Sequence, residues 1–184
     1  MSSAEAFLSR LIRALERAGV PHMLAGSFAS GIHGVPRSTR DVDLIIDPTV
    51  ATLDRFLAVL GGEEFYVNPS VARDELAHRG QFNVIDIATS WKADLIFRRN
   101  RPFDRVEFER RAPEKLLGVT VFVASPEDTV LAKLEWAKLG GGDQQLRDVH
   151  GIIQVQGEML DRAYIDSWLD DLGIRDLWEL VLRG

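Results

Sequence analysis

Asp41 and Asp43 stand two positions apart at the start of a β-branched, apolar run, residues 41–46, that is typical of a strand. Because side chains alternate between the faces of a strand, we predict that both aspartates project from one face, opposite Val42 and Leu44. Neighbouring carboxylates repel each other and need a counter-charge, which a divalent cation supplies. Oxygen ligands without histidine or cysteine indicate Mg²⁺ or Mn²⁺, and magnesium usually shares its shell with substrate phosphates. The pair therefore indicates phosphoryl or nucleotidyl chemistry.

The sequence offers two candidates for a third carboxylate. Residues 91–97 alternate between an apolar face and a polar face that carries Asp94, so they predict a second acid-bearing strand. Asp86 competes with it, because Asp86 is also an acid inside an apolar run, residues 82–88. We favour Asp94, since a packed apolar face behind a metal ligand holds that ligand rigidly.

Gly26 and Ser27 lie where an apolar run, residues 20–25, is predicted to pass from a strand into a short helix, residues 28–34. A helix N-terminus directs N–H groups at an anion, and glycine permits close approach of the backbone. The serine hydroxyl can add a hydrogen bond to a phosphate oxygen. An ordinary helix N-cap explains the same two residues when they are taken alone. With the paired aspartates downstream, they become a candidate phosphate site.

The chain as a whole is acidic, but it contains one local cluster of arginines. A formal net charge of −6 argues against tight, non-specific binding to nucleic acid. Arginines nevertheless cluster after the Asp94 run. This cluster is either a solvated loop or an anion-binding surface, and the sequence leaves both interpretations open. The arginines of this cluster are Arg98, Arg99, Arg101, Arg105, Arg110 and Arg111.

Predicted strands and helices mix in the first two thirds of the chain, and the last third is predicted to be helical. The fold class is therefore α/β (α+β), with a mixed sheet flanked by helices. We expect a single domain over 1–184, with a core of about 1–124 and a helical C-terminal segment of about 125–184. Further helices are predicted over 4–18, 49–60, 69–79, 125–139, 144–156, 161–171 and 175–182, and further strands over 65–67 and 119–124.

The composition argues against several classes of protein. Without cysteine there is no disulfide or thiolate metal site, and the four histidines lack zinc-ligand spacing. The N-terminus lacks a basic region followed by an apolar stretch, and no apolar run is long enough to cross a bilayer. We therefore expect a cytoplasmic protein with no membrane partner.

Taken together, these motifs resemble the signature of the minimal nucleotidyltransferases of the polymerase-β-like superfamily: Gly-Ser, a spacer, Asp-x-Asp and a later aspartate on a strand. Gly26, Ser27, Asp41, Asp43 and Asp94 carry this resemblance. Other segments are similar to the AbiEii-like branch, so the resemblance covers nearly the whole chain. These segments are Arg37-Ser38-Thr39-Arg40, Ser125-Pro126-Glu127-Asp128, Lys133 and Arg147-Asp148.

The resemblance implies a role for each matching residue. Asp41, Asp43 and Asp94 would be the catalytic carboxylates that bind Mg²⁺ or Mn²⁺. The nucleotide-binding residues would be Gly26, Ser27, Arg40 and Lys133, with the first two around the triphosphate. Two interpretations remain for the later residues: Lys133 contacts phosphate or is a solvated helix lysine, and Asp148 assists catalysis or forms an ion pair with Arg147.

The implied activity is transfer of a nucleoside monophosphate from an NTP to an acceptor hydroxyl. The superfamily modifies antibiotics, proteins and tRNA, and it includes toxins of toxin–antitoxin pairs, which have a cognate antitoxin. We expect tRNA or a protein as acceptor rather than a small molecule, because the residues from Ser125 onward leave little chain for a second substrate lobe. The alternative is a catalytically idle module that keeps the fold for binding or regulation.

Overall fold

The computed structural model describes residues 3–39, 41–116 and 118–183. These residues form two compact units. The first unit contains the described residues of Met1–Leu24 and Arg40–Val123, and the second contains those of Ala25–Thr39 and Ala124–Gly184. The segment before the aspartate pair thus groups with the C-terminal helices. The expectation of a single domain over 1–184 stays a prediction.

The first unit is built on a mixed sheet whose strand order is β3-β4-β5-β2-β1-β7-β6. The strands are β1 His22–Leu24, β2 Asp41–Ile46, β3 Phe65–Val67, β4 Gln81–Asp86, β5 Lys92–Phe97, β6 Ala112–Leu116 and β7 Val119–Val123. β2 runs parallel to β5 and antiparallel to β1, while β4 is antiparallel to both β3 and β5. The helices of this unit are α1 Ser3–Ala18, α3 Val50–Leu60, α4 Pro69–His78 and α5 Pro102–Arg110.

The core of the first unit lies on one face of this sheet. Val42 and Leu44 of β2 and Leu95 of β5 are almost completely buried, as the alternation predicts. The helix α1 contributes Phe7, which is fully buried, and its ring lies 6.3 Å from the ring of Phe65 on β3. The central strands are therefore supported from behind by a packed apolar layer, which orients the opposite face.

The second unit is helical. Its helices are α2 Gly26–His33, α6 Pro126–Trp136, α7 Gly142–Gln156, α8 Arg162–Leu172 and α9 Arg175–Leu182. α6 packs against α2, α7 and α8. It begins at the predicted signal, because the Ser125 side chain accepts a hydrogen bond from the N–H of Asp128 and Pro126 occupies the first turn. Residues Ala137–Gly141 then lead into α7 across a kink at Gly140, whose φ of +101° lies outside the helical region.

The predicted fold class is confirmed: a mixed sheet with flanking helices precedes a helical C-terminal segment. Among the strand boundaries that differ from prediction, β4 was expected to reach residue 88 and ends at Asp86. The Asp86 carboxylate accepts hydrogen bonds from the backbone N–H groups of Ala88 and Thr89, at 2.9 and 3.1 Å. This local capping turns the chain away from the strand direction.

Two elements were not predicted at all, namely α5 and β6. The α5 helix begins at Pro102, a valid start signal, but its charged composition resembled a loop. The strand β6 contains Pro113 and lies at the edge of the sheet, where proline is tolerated and alternation is weak. Among the described helices, none is long and apolar enough to cross a membrane.

Candidate active site

The sheet places the three predicted carboxylates on one face. Asp43 of β2 and Asp94 of β5 are direct register partners in the parallel pair, and Asp41 lies two residues earlier on the same face. Asn83 of β4 pairs with Asp94 from the other side. One row across three strands thus carries two carboxylates and an amide, because register partners present their side chains to the same face.

Lys92 shares this face. It is the register partner of Asp41, and its Nζ lies 3.2 Å from Asp94 Oδ2 and 3.7 Å from Asp41 Oδ1. Burial acts to lower the pKa of Lys92, but its hydrogen bonds to the two aspartates and their charges outweigh burial and raise that pKa. The ammonium therefore stays charged and neutralises part of the carboxylate group.

The two carboxylates beside Lys92 have different environments. The Asp41 side chain is 55% exposed, whereas that of Asp94 is 17% exposed. Asp94 Oδ1 is buried and has no hydrogen-bond partner within the described chain. A buried carboxylate oxygen without a partner is costly, so this atom is suited to a cation or a proton donor.

The carboxylates meet some of the requirements of a divalent metal. Their donor atoms suit Mg²⁺ or Mn²⁺, since all are oxygens, and Asp94 Oδ1 is left without a partner within the described chain. No three acidic or histidine side chains of the described residues, however, converge closely enough to enclose an ion. Lys92 lies against two of the carboxylates instead. The oxygen donors are those that such a metal prefers. With Lys92 in place, however, the described carboxylates do not form a closed coordination shell.

Asp86, the competing third carboxylate, faces away from this group. Its chain neighbour Ile85 pairs with Lys92, so Asp86 belongs to the opposite, buried face. It is completely buried and forms an ion pair with Arg10 of α1. Together with its bonds to the following turn, this ion pair gives Asp86 a structural role.

In the second unit, Gly26 opens α2. Its φ is +60°, in the left-handed region that favours glycine. Ala25 occupies the N-cap position and has no side-chain oxygen with which to cap the helix. The ordinary N-cap explanation of Gly26 and Ser27 therefore loses support, because neither residue is the N-cap.

Lys133 and Asp148 form the buried polar centre of the second unit. Lys133 Nζ donates to Asp148 Oδ2 at 2.7 Å, and both side chains are nearly inaccessible. Gln144 Nε2 and Arg37 Nε also donate to this carboxylate, at 2.8 and 3.2 Å. Arg37 further donates to the Ser27 hydroxyl. The lysine is thus not a solvated helix residue, and the aspartate pairs with it instead of with its chain neighbour.

The pKa of Asp148 reflects this cluster. Burial alone would raise the pKa of the carboxyl group. The hydrogen bond and charge of Lys133, with the bonds from Gln144 and Arg37, outweigh burial and hold that pKa below its ordinary value. The carboxylate is therefore ionised across the neutral range.

Three arginines of the cluster contact side chains of their own unit. Arg98 binds Asp47 at 2.8 Å and Arg101 binds Asp104 at 2.6 Å. The Arg111 guanidinium lies over the ring of Phe108. These contacts favour a structural role for the three arginines over an anion-binding surface.

Sequence reasoning missed Lys92, Arg37 and Asn83, and it named Arg40, which lies outside the described residues. Lys92 could have been found, because it stands two positions before Asp94 and the same alternation places it on the carboxylate face. Arg37 stood in the segment that resembles the AbiEii-like branch but was given no role, and Asn83 carried no signal. Their relevance depends on contacts between distant parts of the chain.

Comparison with known proteins identifies the fold. No family model matches the chain, and no curated protein matches its sequence significantly. The crystal structure of ANT(2'')-Ia in complex with adenylyl-2''-tobramycin is similar with a TM-score of 0.60 at 11% identity, covering 95% of this chain and 99% of that chain. The solution structure of the antibiotic-resistance factor ANT(2'')-Ia gives 0.55 at 13% identity, over 91% and 94%.

An antigenic nucleotidyltransferase-like protein from Paracoccidioides brasiliensis is also similar, with a TM-score of 0.57 at 17% identity over 98% of this chain and 94% of that chain. At such identities the likeness establishes the fold alone. The chain has the fold of the nucleotidyltransferases, as the resemblance in its sequence implied. The AbiEii-like branch stays a prediction.

Proposed function

We propose that this protein is a metal-dependent nucleotidyltransferase. One observation supports this most directly: Asp43 and Asp94 are register partners on one sheet face, with Asp41 beside them, in a chain with the nucleotidyltransferase fold. Carboxylates so placed serve the in-line displacement at phosphorus, for which divalent metals hold phosphate oxygens and offset their charge. Asp41, Asp43 and Asp94 would hold Mg²⁺ or Mn²⁺.

In the proposed reaction an acceptor hydroxyl attacks the α-phosphorus of an NTP. A new oxygen–phosphorus bond forms, the bond to the β-phosphate oxygen breaks, and pyrophosphate leaves. The proton of the hydroxyl needs an acceptor. By the resemblance to the nucleotidyltransferases, Asp94 would accept this proton.

The residues that we propose to contact the nucleotide phosphates are Gly26, Ser27 and Arg40. Gly26 and Ser27 offer backbone N–H groups and a hydroxyl at the start of α2, and Arg40 adds a cation. The buried ion pair of Lys133 with Asp148 supports a positioning role for this lysine over direct contact with phosphate. Through Asp148 it would hold Arg37 beside the Ser27 hydroxyl.

We expect the protein to bind an NTP only when a divalent metal is present. Carboxylates alone would repel a triphosphate, because like charges a few ångströms apart destabilise the complex. Calorimetric titration with each NTP, in Mg²⁺ and in EDTA, measures this dependence. Equal affinity in EDTA would contradict the carboxylate site.

For the acceptor we propose tRNA or a protein. The ANT(2'')-Ia complex contains an adenylylated aminoglycoside, which makes small molecules the natural comparison. Incubation with α-labelled NTPs and, separately, tRNA, cell protein and aminoglycosides should label tRNA or protein. Label on aminoglycosides alone would contradict the proposal. A toxin of the AbiEii-like kind would in addition have a neutralising antitoxin, which an inhibition assay with the neighbouring gene product would reveal.

The second candidate function is a catalytically idle binding or regulatory module. It is favoured by one observation, namely that the described carboxylates do not enclose an ion while Lys92 lies among them. The two candidate functions differ in whether the protein transfers a nucleotide to an acceptor. An idle module would bind a nucleotide without labelling any acceptor in the assay above.

A further inference from the structure

Lys92 occupies a specific position among the carboxylates. Its Nζ lies within 3.7 Å of oxygens from both Asp41 and Asp94, and all three residues are on the same face of β2 and β5. An ammonium is a compact point charge with three donors, so it can serve two carboxylates at once. In the structure it takes the place of a divalent counter-charge for these two aspartates.

A metal ion and this ammonium would compete. Both would be held by the carboxylates of Asp94 and Asp41, which Lys92 already contacts, and two cations this close together repel each other. A metal that binds these carboxylates must therefore displace Lys92. When no other ligand is present, the free energy needed to displace Lys92 lowers the affinity of the site for the metal.

We infer that Lys92 is a built-in counter-ion that keeps the affinity for free metal low, so that the metal binds together with the nucleotide. The inference rests on the proposed function. Triphosphate oxygens add ligands for the metal and negative charge for the displaced ammonium, so nucleotide and metal strengthen each other's binding. Lys92 is thus a positioning residue that couples metal uptake to substrate.

Electron paramagnetic resonance of Mn²⁺ tests this inference without turnover. Mn²⁺ is titrated into the nucleotide-free protein, and the free-ion signal gives the dissociation constant. Lys92→Met removes the charge and keeps most of the unbranched side chain, whereas Lys92→Arg keeps the charge. Lys115→Met is the matched control, because it makes the same change at an exposed position on the edge strand β6.

We expect Lys92→Met to bind Mn²⁺ at least roughly tenfold more tightly than wild type. The repulsion between two charges about 4 Å apart near a protein surface is larger than the free energy of a tenfold change in affinity. Lys92→Arg and Lys115→Met should resemble wild type. Thermal melting provides a second measurement: without metal, Lys92→Met should melt below wild type, and Mn²⁺ should raise its melting temperature by more than it raises that of wild type.

The outcomes separate this inference from the proposed function. If wild type and Lys92→Met bind Mn²⁺ equally and Asp43→Asn abolishes binding in both, the role of Lys92 is overturned and the metal site stands. If Mn²⁺ binds regardless of Asp43→Asn, or binds to none of the proteins even after an NTP is added, both the metal site and the role of Lys92 are overturned.

Discussion

Replacing Asp43 with asparagine should lower nucleotidyl transfer by at least about a thousandfold, because a lost metal contact removes several kcal/mol of transition-state stabilisation and each 1.36 kcal/mol is tenfold. An amide is a poor ligand for a hard cation. Asp43 is only partly buried and has the same size as asparagine, so the fold should persist. Transfer of label from an α-labelled NTP to the acceptor, with circular dichroism melting of the same preparation, measures both effects.

Two further substitutions test which acid is the third carboxylate. Asp94→Asn should be as inactive as Asp43→Asn. Asp86→Asn should instead lose stability, because it removes the charge of a fully buried carboxylate that pairs with the partly exposed Arg10. The fraction of Asp86→Asn that remains folded should keep its activity. A folded but inactive Asp86→Asn beside an active Asp94→Asn would assign the third carboxylate to Asp86.

The second large effect concerns stability. Asp148→Asn should reduce the free energy of unfolding by about 3–5 kcal/mol at pH 7, because it leaves the buried Lys133 ammonium without a counter-charge. Urea denaturation followed by circular dichroism measures the loss. The double variant Lys133→Met with Asp148→Asn should recover part of it, since no buried charge is then left unpaired. A loss below about 1 kcal/mol in Asp148→Asn would contradict a buried, coupled pair.

This pair also predicts a pH dependence with a definite sign. The pKa of Asp148 is lower in the folded protein than in the unfolded chain, where it has the ordinary value of an aspartate. Its contribution to stability is therefore complete above that value and is lost as the pH falls through the folded pKa. Denaturation curves from neutral pH to below pH 4 should show a smaller acid-induced loss for Asp148→Asn than for wild type. Parallel loss in both proteins would assign acid sensitivity to other groups.

The same pair allows stability and function to be compared. Lys133 and Asp148 are matched by an exposed ion pair in the same unit, between Arg175 and Asp170. Exposed pairs contribute little to stability, so Asp170→Asn serves as a mild control for Asp148→Asn. If Asp148 also positions Arg37, only Asp148→Asn should weaken NTP binding in the fraction that remains folded.

Much of the fold followed from the sequence, because its signals are local. The alternation of apolar residues around Asp43 and Asp94 predicted two strands with an acid-bearing face, and both strands formed. The N-cap signal at Ser125 predicted the start of α6. These patterns work because backbone periodicity and capping act within a few residues. The charged helix α5 and the edge strand β6 were not predicted, because neither carries a strong periodic pattern.

The sequence by itself determined which residue types could bind a metal or a phosphate, but only the tertiary structure decided which of them lie together. The register of β2 and β5 paired Asp43 with Asp94, and the alternation of side chains along β4 placed Asp86 on the opposite face. Packing of α6 on α7 buried Lys133 against Asp148. Strand register and helix packing depend on apolar surfaces far apart in the chain, whose joint burial no local pattern specifies.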